Sequence, residues 1–284
     1  MSGSAETLPP ELERQIFELT AKLYPATAPT LLRVAQRVRL WIEPILYETL
    51  TIVLETPRGP HPAILQPFLS KPATFFQKNV RNLLLAVRLD KKNEQFDLIL
   101  SSCSGVVNLA LLGGPTCRSL LCFLAAMKLQ RLAVCLQDLF FTSPIDLTLP
   151  CFAALTHLDL LHSTDSSKLT AEDFAALPAL THLHLYMCPA LMNAVLLRCS
   201  GLKVLIHTQF PVSLARLNVP QRRKVQDPRL IFLGAYTHDL WTDWKTRIQG
   251  KMDLWAHADR FVQRRNGFID DDTELWLNLE KETF

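Results

Sequence analysis

Phe152-Ala153-Ala154-Leu155-Thr156-His157-Leu158-Asp159-Leu160 and Leu177-Pro178-Ala179-Leu180-Thr181-His182-Leu183-His184-Leu185 are close to one stretch written twice. In both, the leucines step by three and then by two. The same step occurs earlier at Val80/Leu83/Leu85, Val106/Leu109/Leu111 and Leu129/Leu132/Val134. It returns at Leu202/Leu205 and, weakly, at Leu230/Leu233. The intervals between first positions are 26, 23, 26, 25, 22 and 28 residues. The final two-residue step suits a short strand whose alternate side chains point inward. The stretches between, such as Thr170 to Leu177 and Cys117 to Met127, read as helices. A unit with one apolar face cannot bury it alone, so such units stack on their neighbours. A compact α/β domain with leucine-rich core strands is the competing reading, and the agreement of six spacings favours stacking.

All six intervals fall in the 20–29-residue window of leucine-rich repeats. The expected fold is therefore α/β: an irregular leucine-rich-repeat solenoid with parallel strands over 80–235. Working outward, residues 8–50 read as three short helices. Leu12, Ile16, Leu19 and Leu23 fall on one helical face, with Pro10 in the first turn and Tyr24-Pro25 as the stop. Leu31, Val34, Ala35, Val38 and Ile42 form a second stripe, capped by Thr30. Pro44 is expected to break that helix and start a third over 45–50. Three helices of this size make a poor core alone, so the unit needs a neighbour or a partner. Residues 1–7 read as a disordered tail, and 51–79 as a proline-rich connection with at most one helical turn.

After the repeats, residues 236–284 carry four of the five tryptophans. Leu240, Trp241, Trp244 and Ile248 sit at helical spacing, as do Leu254, Trp255, Ala258, Phe261 and Val262. Gly250 and Gly267 are expected to end these helices. Asp270-Asp271-Asp272-Thr273 offers the start of a last helix with Leu275, Trp276 and Leu279. This region is expected to be a helical cap over the open end of the solenoid, with a groove for a partner helix as the competing reading.

The composition sets limits. The chain has 284 residues, 49% of them hydrophobic, so it buries a sizeable core. A formal charge of +3 gives no field that argues for nucleic acid. The basic cluster Arg222-Arg223-Lys224 and the pair Arg264-Arg265 read as solvated loops. The longest apolar run, Leu120 to Met127, is far short of a membrane span, so no membrane partner is expected. Seven scattered cysteines with no Cys-x-x-Cys suit buried, reduced thiols in the cytoplasm or nucleus. No phosphate-cradling, nucleophile-elbow or His-Glu-x-x-His motif occurs, so no catalytic residue and no cofactor are expected.

If Leu158 and Leu160 point inward, His157 and Asp159 point to the other face, joined by His182, His184 and Tyr186 from the next repeat. Neighbouring strands lie about 4.8 Å apart, so these residues form one patch, extended by Arg131 and Asn108. Three readings compete. The first is a solvated polar face without a task. The second is a substrate-binding patch made of Arg131, His157, Asp159, His182, His184 and Tyr186. The third is a zinc site, and a metal-dependent hydrolase, on the three imidazoles and the carboxylate. The spacing supports no metal motif.

The N-terminal residues Leu8-Pro9-Pro10-Glu11-Leu12, Ile16-Phe17, Leu31-Leu32-Arg33-Val34-Ala35-Gln36-Arg37-Val38 and Trp41 resemble an F-box. Followed by the repeats, and with Met252 to Val262 similar to a closing helix, the chain resembles the F-box-like leucine-rich-repeat proteins abundant in mushroom-forming fungi. The Tyr24-to-Pro29 link and Arg37-Val38-Arg39-Leu40-Trp41 depart from the common pattern. The resemblance implies a non-enzymatic substrate-recognition adaptor of a cullin-type (SCF) ubiquitin ligase, acting by proximity. It implies that Leu8, Pro9, Ile16, Leu32 and Val34 contact the ligase's linker subunit. The implied partners are that subunit, the cullin scaffold and an unknown substrate protein. A leucine-rich interaction scaffold without a ligase role is the alternative.

Overall fold

The computed structural model describes residues 8–53, 62–86, 94–113, 119–140, 143–161, 169–186, 189–209, 227–234, 243–244, 246, 252–267 and 276–277. Among the described residues, every strand lies in one open sheet. Eight parallel strands follow chain order: β1 (Thr49–Val53), β2 (Asn82–Ala86), β3 (Asn108–Leu112), β4 (Arg131–Val134), β5 (His157–Leu160), β6 (His182–Tyr186), β7 (Val204–Gln209) and β8 (Leu230–Gly234). A two-residue strand, β9 (Trp276–Leu277), continues the order at the edge. Each strand thus lies beside its sequence neighbours, as repeat stacking requires.

The register follows the repeat step. Leu83, Leu109, Leu132, Leu158, Leu183 and Leu205 are paired across the strands. A backbone device recurs at each junction from β1 to β7. The carbonyl just before a strand accepts two N–H groups from the start of the next rung. Glu48, Arg81, Val107, Gln130, Thr156 and Thr181 all do this, at 2.7–3.2 Å. Six identical junctions pin the register even though the repeats differ in length.

The leucine side of the sheet packs on helices. These are α4 (Pro62–Ser70), α5 (Ala73–Asn79), α6 (Glu94–Ser102), α7 (Ser119–Ala125), α8 (Leu136–Phe140), α9 (Ala171–Ala175) and α10 (Pro189–Arg198). One continuous core joins Leu83, Leu109, Leu132, Leu158 and Leu183 to Phe76, Phe96, Leu124, Phe140, Phe152, Phe174 and Val195. The expected helix after Thr170 is α9, and Thr170 closes a reciprocal capping box with Asp173. Arg229 fixes the end of α10 by donating to the carbonyls of Leu196, Cys199 and Leu202 while paired with Asp227.

Several expectations are corrected. The described residues of 51–79 hold the end of β1 and the whole of α4 and α5, more regular structure than the prolines suggest. Proline is harmless at α4's first position and at α5's N-cap. The helices of 8–50 divide as α1 (Pro10–Leu23), a 3-10 turn at Pro25–Thr27, α2 (Ala28–Leu31) and α3 (Gln36–Tyr47). Pro44 lies inside α3 and does not end it. The carbonyl its ring orphans belongs to Leu40, which is exposed and can be served by water. Leu230 pairs with Leu205, not with Leu202, so the weak last copy is out of phase and Leu233 faces the opposite side of the sheet. Trp276 lies in an edge strand, not in a helix. The tail 1–7, Arg222-Arg223-Lys224, Asp270-Asp271-Asp272, Trp241 and Gly250 lie outside the described residues. Among the described residues, no helix is long and apolar enough to cross a membrane.

The N-terminal helices have a small core of their own: Ala21, Ala28, Val38 and Ile42, flanked by Phe17, Leu32 and Trp41. They join the sheet through α3, which runs straight into β1. Lys71 seals the joint, with its ammonium 2.8 Å from Glu43 and 4.5 Å from the Phe75 ring centre. Tyr47 meets Phe75 and Phe76 edge-on beside it.

Candidate functional site

Two surfaces collect the residues singled out from sequence: the sheet face opposite the helices, and the outer side of α1.

On the sheet face, the register assembles the expected row. Arg131, His157 and His182 are mutually paired neighbours on β4, β5 and β6, and Asp159 pairs with His184. The His157 and His182 rings stack with centroids 4.0 Å apart and planes within 5°. The expectation of an open patch is not met. The helix α11 (Leu254–Gly267) lies across this face rather than over the end of the sheet. Leu254, Trp255, Ala258, Phe261 and Val262 have the helical spacing read from sequence. They are buried against Val204, Ile206, Ile231 and Leu233. Trp244 covers Leu84, Ala110 and Ala133 nearer the first strands.

The reason is the composition of the face. From β7 onward its outward positions turn apolar, with Val204, Ile206, Ile231 and Leu233, and an apolar sheet face must be covered. The helix then continues over the polar row and matches it chemically. Asp253 caps α11 by accepting from the Ala256 N–H at 2.9 Å, and its other oxygen takes Arg131 Nη1 at 2.9 Å. Asp259 lies 3.0 Å from His182 Nε2. Trp255 stands edge-on to His157 and His182 at 5.4 and 5.6 Å. A backbone N–H, that of Leu254, donates to Asp243.

Below the helix, Asp159 Oδ1 is 2.9 Å from His184 Nδ1, and His184 Nε2 is 2.7 Å from Thr208 Oγ1. Asp159, His184 and Thr208 are 6%, 3% and 2% exposed, so this cluster is closed to substrate. Burial holds His182 below the usual imidazole range, against the pull of Asp259. Of the expected substrate-binding residues, Asp159, His182 and His184 are thus buried, while Arg131, His157 and Tyr186 are half-buried. A hollow between Trp244, Trp255 and Arg131 has room for about one water. Among the described residues, no group of three or more His, Cys, Asp or Glu is arranged to hold a metal ion, so the zinc reading has no support.

Sequence reasoning missed Asp253, Asp259 and Thr208. Asp253 could have been found as an N-cap directly before the apolar run of α11. Asp259 and Thr208 carry no local signal; only the crossing of helix and sheet gives them partners.

The outer side of α1 is the opposite case. Leu8, Leu12, Ile16, Leu19 and Leu23 recur every three or four residues and are 47–62% exposed. Tyr24, Val34 and Leu40 add exposures of 57–63% on the same helical unit. The helix buries its other side instead, through Phe17 and Ala21. Pro9 is exposed, and Leu32 is half-buried in the small core. A scan against protein-family models, a search of curated proteins and a search of solved structures each return no match to this chain.

Proposed function

We propose that this chain is a non-enzymatic adaptor whose N-terminal helices dock a linker subunit of a cullin-type ubiquitin ligase and whose sheet-bearing body, an irregular leucine-rich-repeat solenoid, presents a substrate protein. The solenoid reading is supported by strict sequential strand order and by the carbonyl junction repeated at six rungs. The observation that carries the docking reading is the apolar row Leu12, Ile16, Leu19 and Leu23 of the folded helix α1, with Leu8 just before it, left in water. An amphipathic helix normally turns such a row to its own core. A contiguous apolar patch kept outside marks an interaction surface. The resemblance of these residues to an F-box names the partner. The alternative, a scaffold whose first helices merely cap the body, is disfavoured because a cap would bury this row.

Binding of the full chain to a recombinant linker subunit, followed by calorimetry, tests the reading. The wild type is expected to form a stoichiometric complex. Leu8→Asp and Ile16→Asp are each expected to weaken it by about thirtyfold or more, as for an interface hot spot. Their melting temperatures stay within about 2 °C, because surface changes cost little. A folded wild type that binds no linker subunit overturns the reading, and variants that unfold the chain favour the capping alternative.

A further inference from the structure

We propose that the two stacked Thr-His steps at the seat of α11 form a single proton-responsive latch: it accepts one proton at His182, and a second, on His157, lifts α11 from β4–β6.

In Leu155-Thr156-His157 and again in Leu180-Thr181-His182, the threonine Oγ1 lies 2.8 Å from the following imidazole Nδ1. Each hydroxyl also reaches a carbonyl one rung back: Thr156 that of Gln130 at 2.9 Å, and Thr181 that of Thr156 at 3.1 Å. Both carbonyls already accept two backbone N–H groups. At His182, Nε2 faces the Asp259 carboxylate, so the neutral ring keeps its hydrogen there and Nδ1 accepts the Thr181 hydroxyl hydrogen. The ring then carries its own hydrogen on Nε2, and His182 donates it to Asp259. When His182 takes up a proton at Nδ1, the hydroxyl rotates toward the carbonyl and accepts from Nδ1–H. No contact with Asp259 is broken.

His157 has the same threonine rotor, but its ring is stacked 4.0 Å from that of His182. Two imidazolium rings at that distance repel, which lowers the second proton affinity by about a hundredfold or more. Among the described residues, the charged and titratable groups around the pair include Arg131 on β4, Asp159 and His184 on the next positions of β5 and β6, and Lys203 just before β7. Asp253 directly before α11, Asp259 on α11 and Asp243 also lie beside it. Arg131 and Lys203 oppose a second positive charge, and Asp253 is already engaged by Arg131. Trp255 sits on both rings, so strain in the stack is transmitted directly to α11.

The test follows the histidine ring nitrogens by NMR from about pH 8 to about pH 4.5, together with hydrogen exchange of α11 and of β4–β6. One proton is expected to enter at His182 first. A separate step at His157 is expected to coincide with faster exchange in α11 while the strands keep their protection. Asp259→Asn, at a half-buried helix position, is expected to make proton uptake at His182 about tenfold weaker. His157→Gln is expected to abolish the release of α11. The proposal is overturned if the two rings titrate independently, if neither takes a proton, or if His157→Gln leaves the release unchanged. It is also overturned if helix and strands lose protection together. These readouts involve no partner protein and do not depend on the ligase reading.

Discussion

Replacing Trp255 by alanine tests whether α11 is a structural layer of this protein. Trp255 is 5% exposed and sits between the apolar half of α11's contact and the polar row. An indole buries about 150–250 Å². At about 25 cal/mol per Å², that corresponds to about 4–6 kcal/mol of lost burial. Buried Trp→Ala changes cost about 3–5 kcal/mol when the cavity term is included, so about 4 kcal/mol is expected. In a chain of this size each kcal/mol lowers the melting temperature by about 2 °C, giving a drop of about 8 °C. Urea unfolding followed by far-ultraviolet circular dichroism measures the free energy, and calorimetry the temperature. Trp255→Phe keeps an aromatic edge against the imidazoles and is expected to lose less than half as much. A Trp255→Ala loss below about 1 kcal/mol would refute the reasoning, because α11 would then not be holding the second face of the sheet.

Three further outcomes are expected. Stability falls on acidification: His182 is held below its ordinary value and His207 is pushed down to about 4, both chiefly by burial. Their contribution is complete above an unfolded value of about 6.5 and is lost as pH falls toward the folded ones; equal urea midpoints at about pH 7.5 and pH 5 would contradict this. His207 is fully buried with neither ring nitrogen hydrogen-bonded among the described residues. His207→Leu therefore stabilises the chain by about 1–2 kcal/mol and flattens its acid sensitivity, measured by the same unfolding curves. Gly105→Ala destabilises by about 2 kcal/mol or more in the same assay, because the added Cβ would fall 1.8 Å from the Gln77 carbonyl oxygen in the turn before β3.

The exposed row on α1 and the covered sheet face make opposite use of apolar patterning. A stripe at helical spacing identifies a face that avoids water; it does not say which neighbour removes it. Leu12, Ile16, Leu19 and Leu23 on α1 and Leu254, Phe261 and Val262 on α11 give the same kind of signal in one dimension. The first set is exposed and the second is buried. The difference comes from the sheet. Val204, Ile206, Ile231 and Leu233 offer α11 a complementary surface, whereas Phe17 and Ala21 already supply α1 with its contact to α3.

The spacing of Leu83, Leu109, Leu132, Leu158, Leu183 and Leu205 determined the parallel strands, their order and their inward side, because a period-two step fixes facing and recurrence at similar intervals fixes neighbours. It also placed His157 beside His182. Tertiary structure alone decided that β1 extends the sheet before the first recognised repeat and that Leu230 pairs three residues out of phase. It alone decided that α11 lies on the polar row and not beyond the last strand. Those outcomes depend on which distant surfaces are apolar at the same time, and on hydrogen-bond partners such as Asp253 for Arg131 that lie more than a hundred residues apart. Local periodicity carries no record of either.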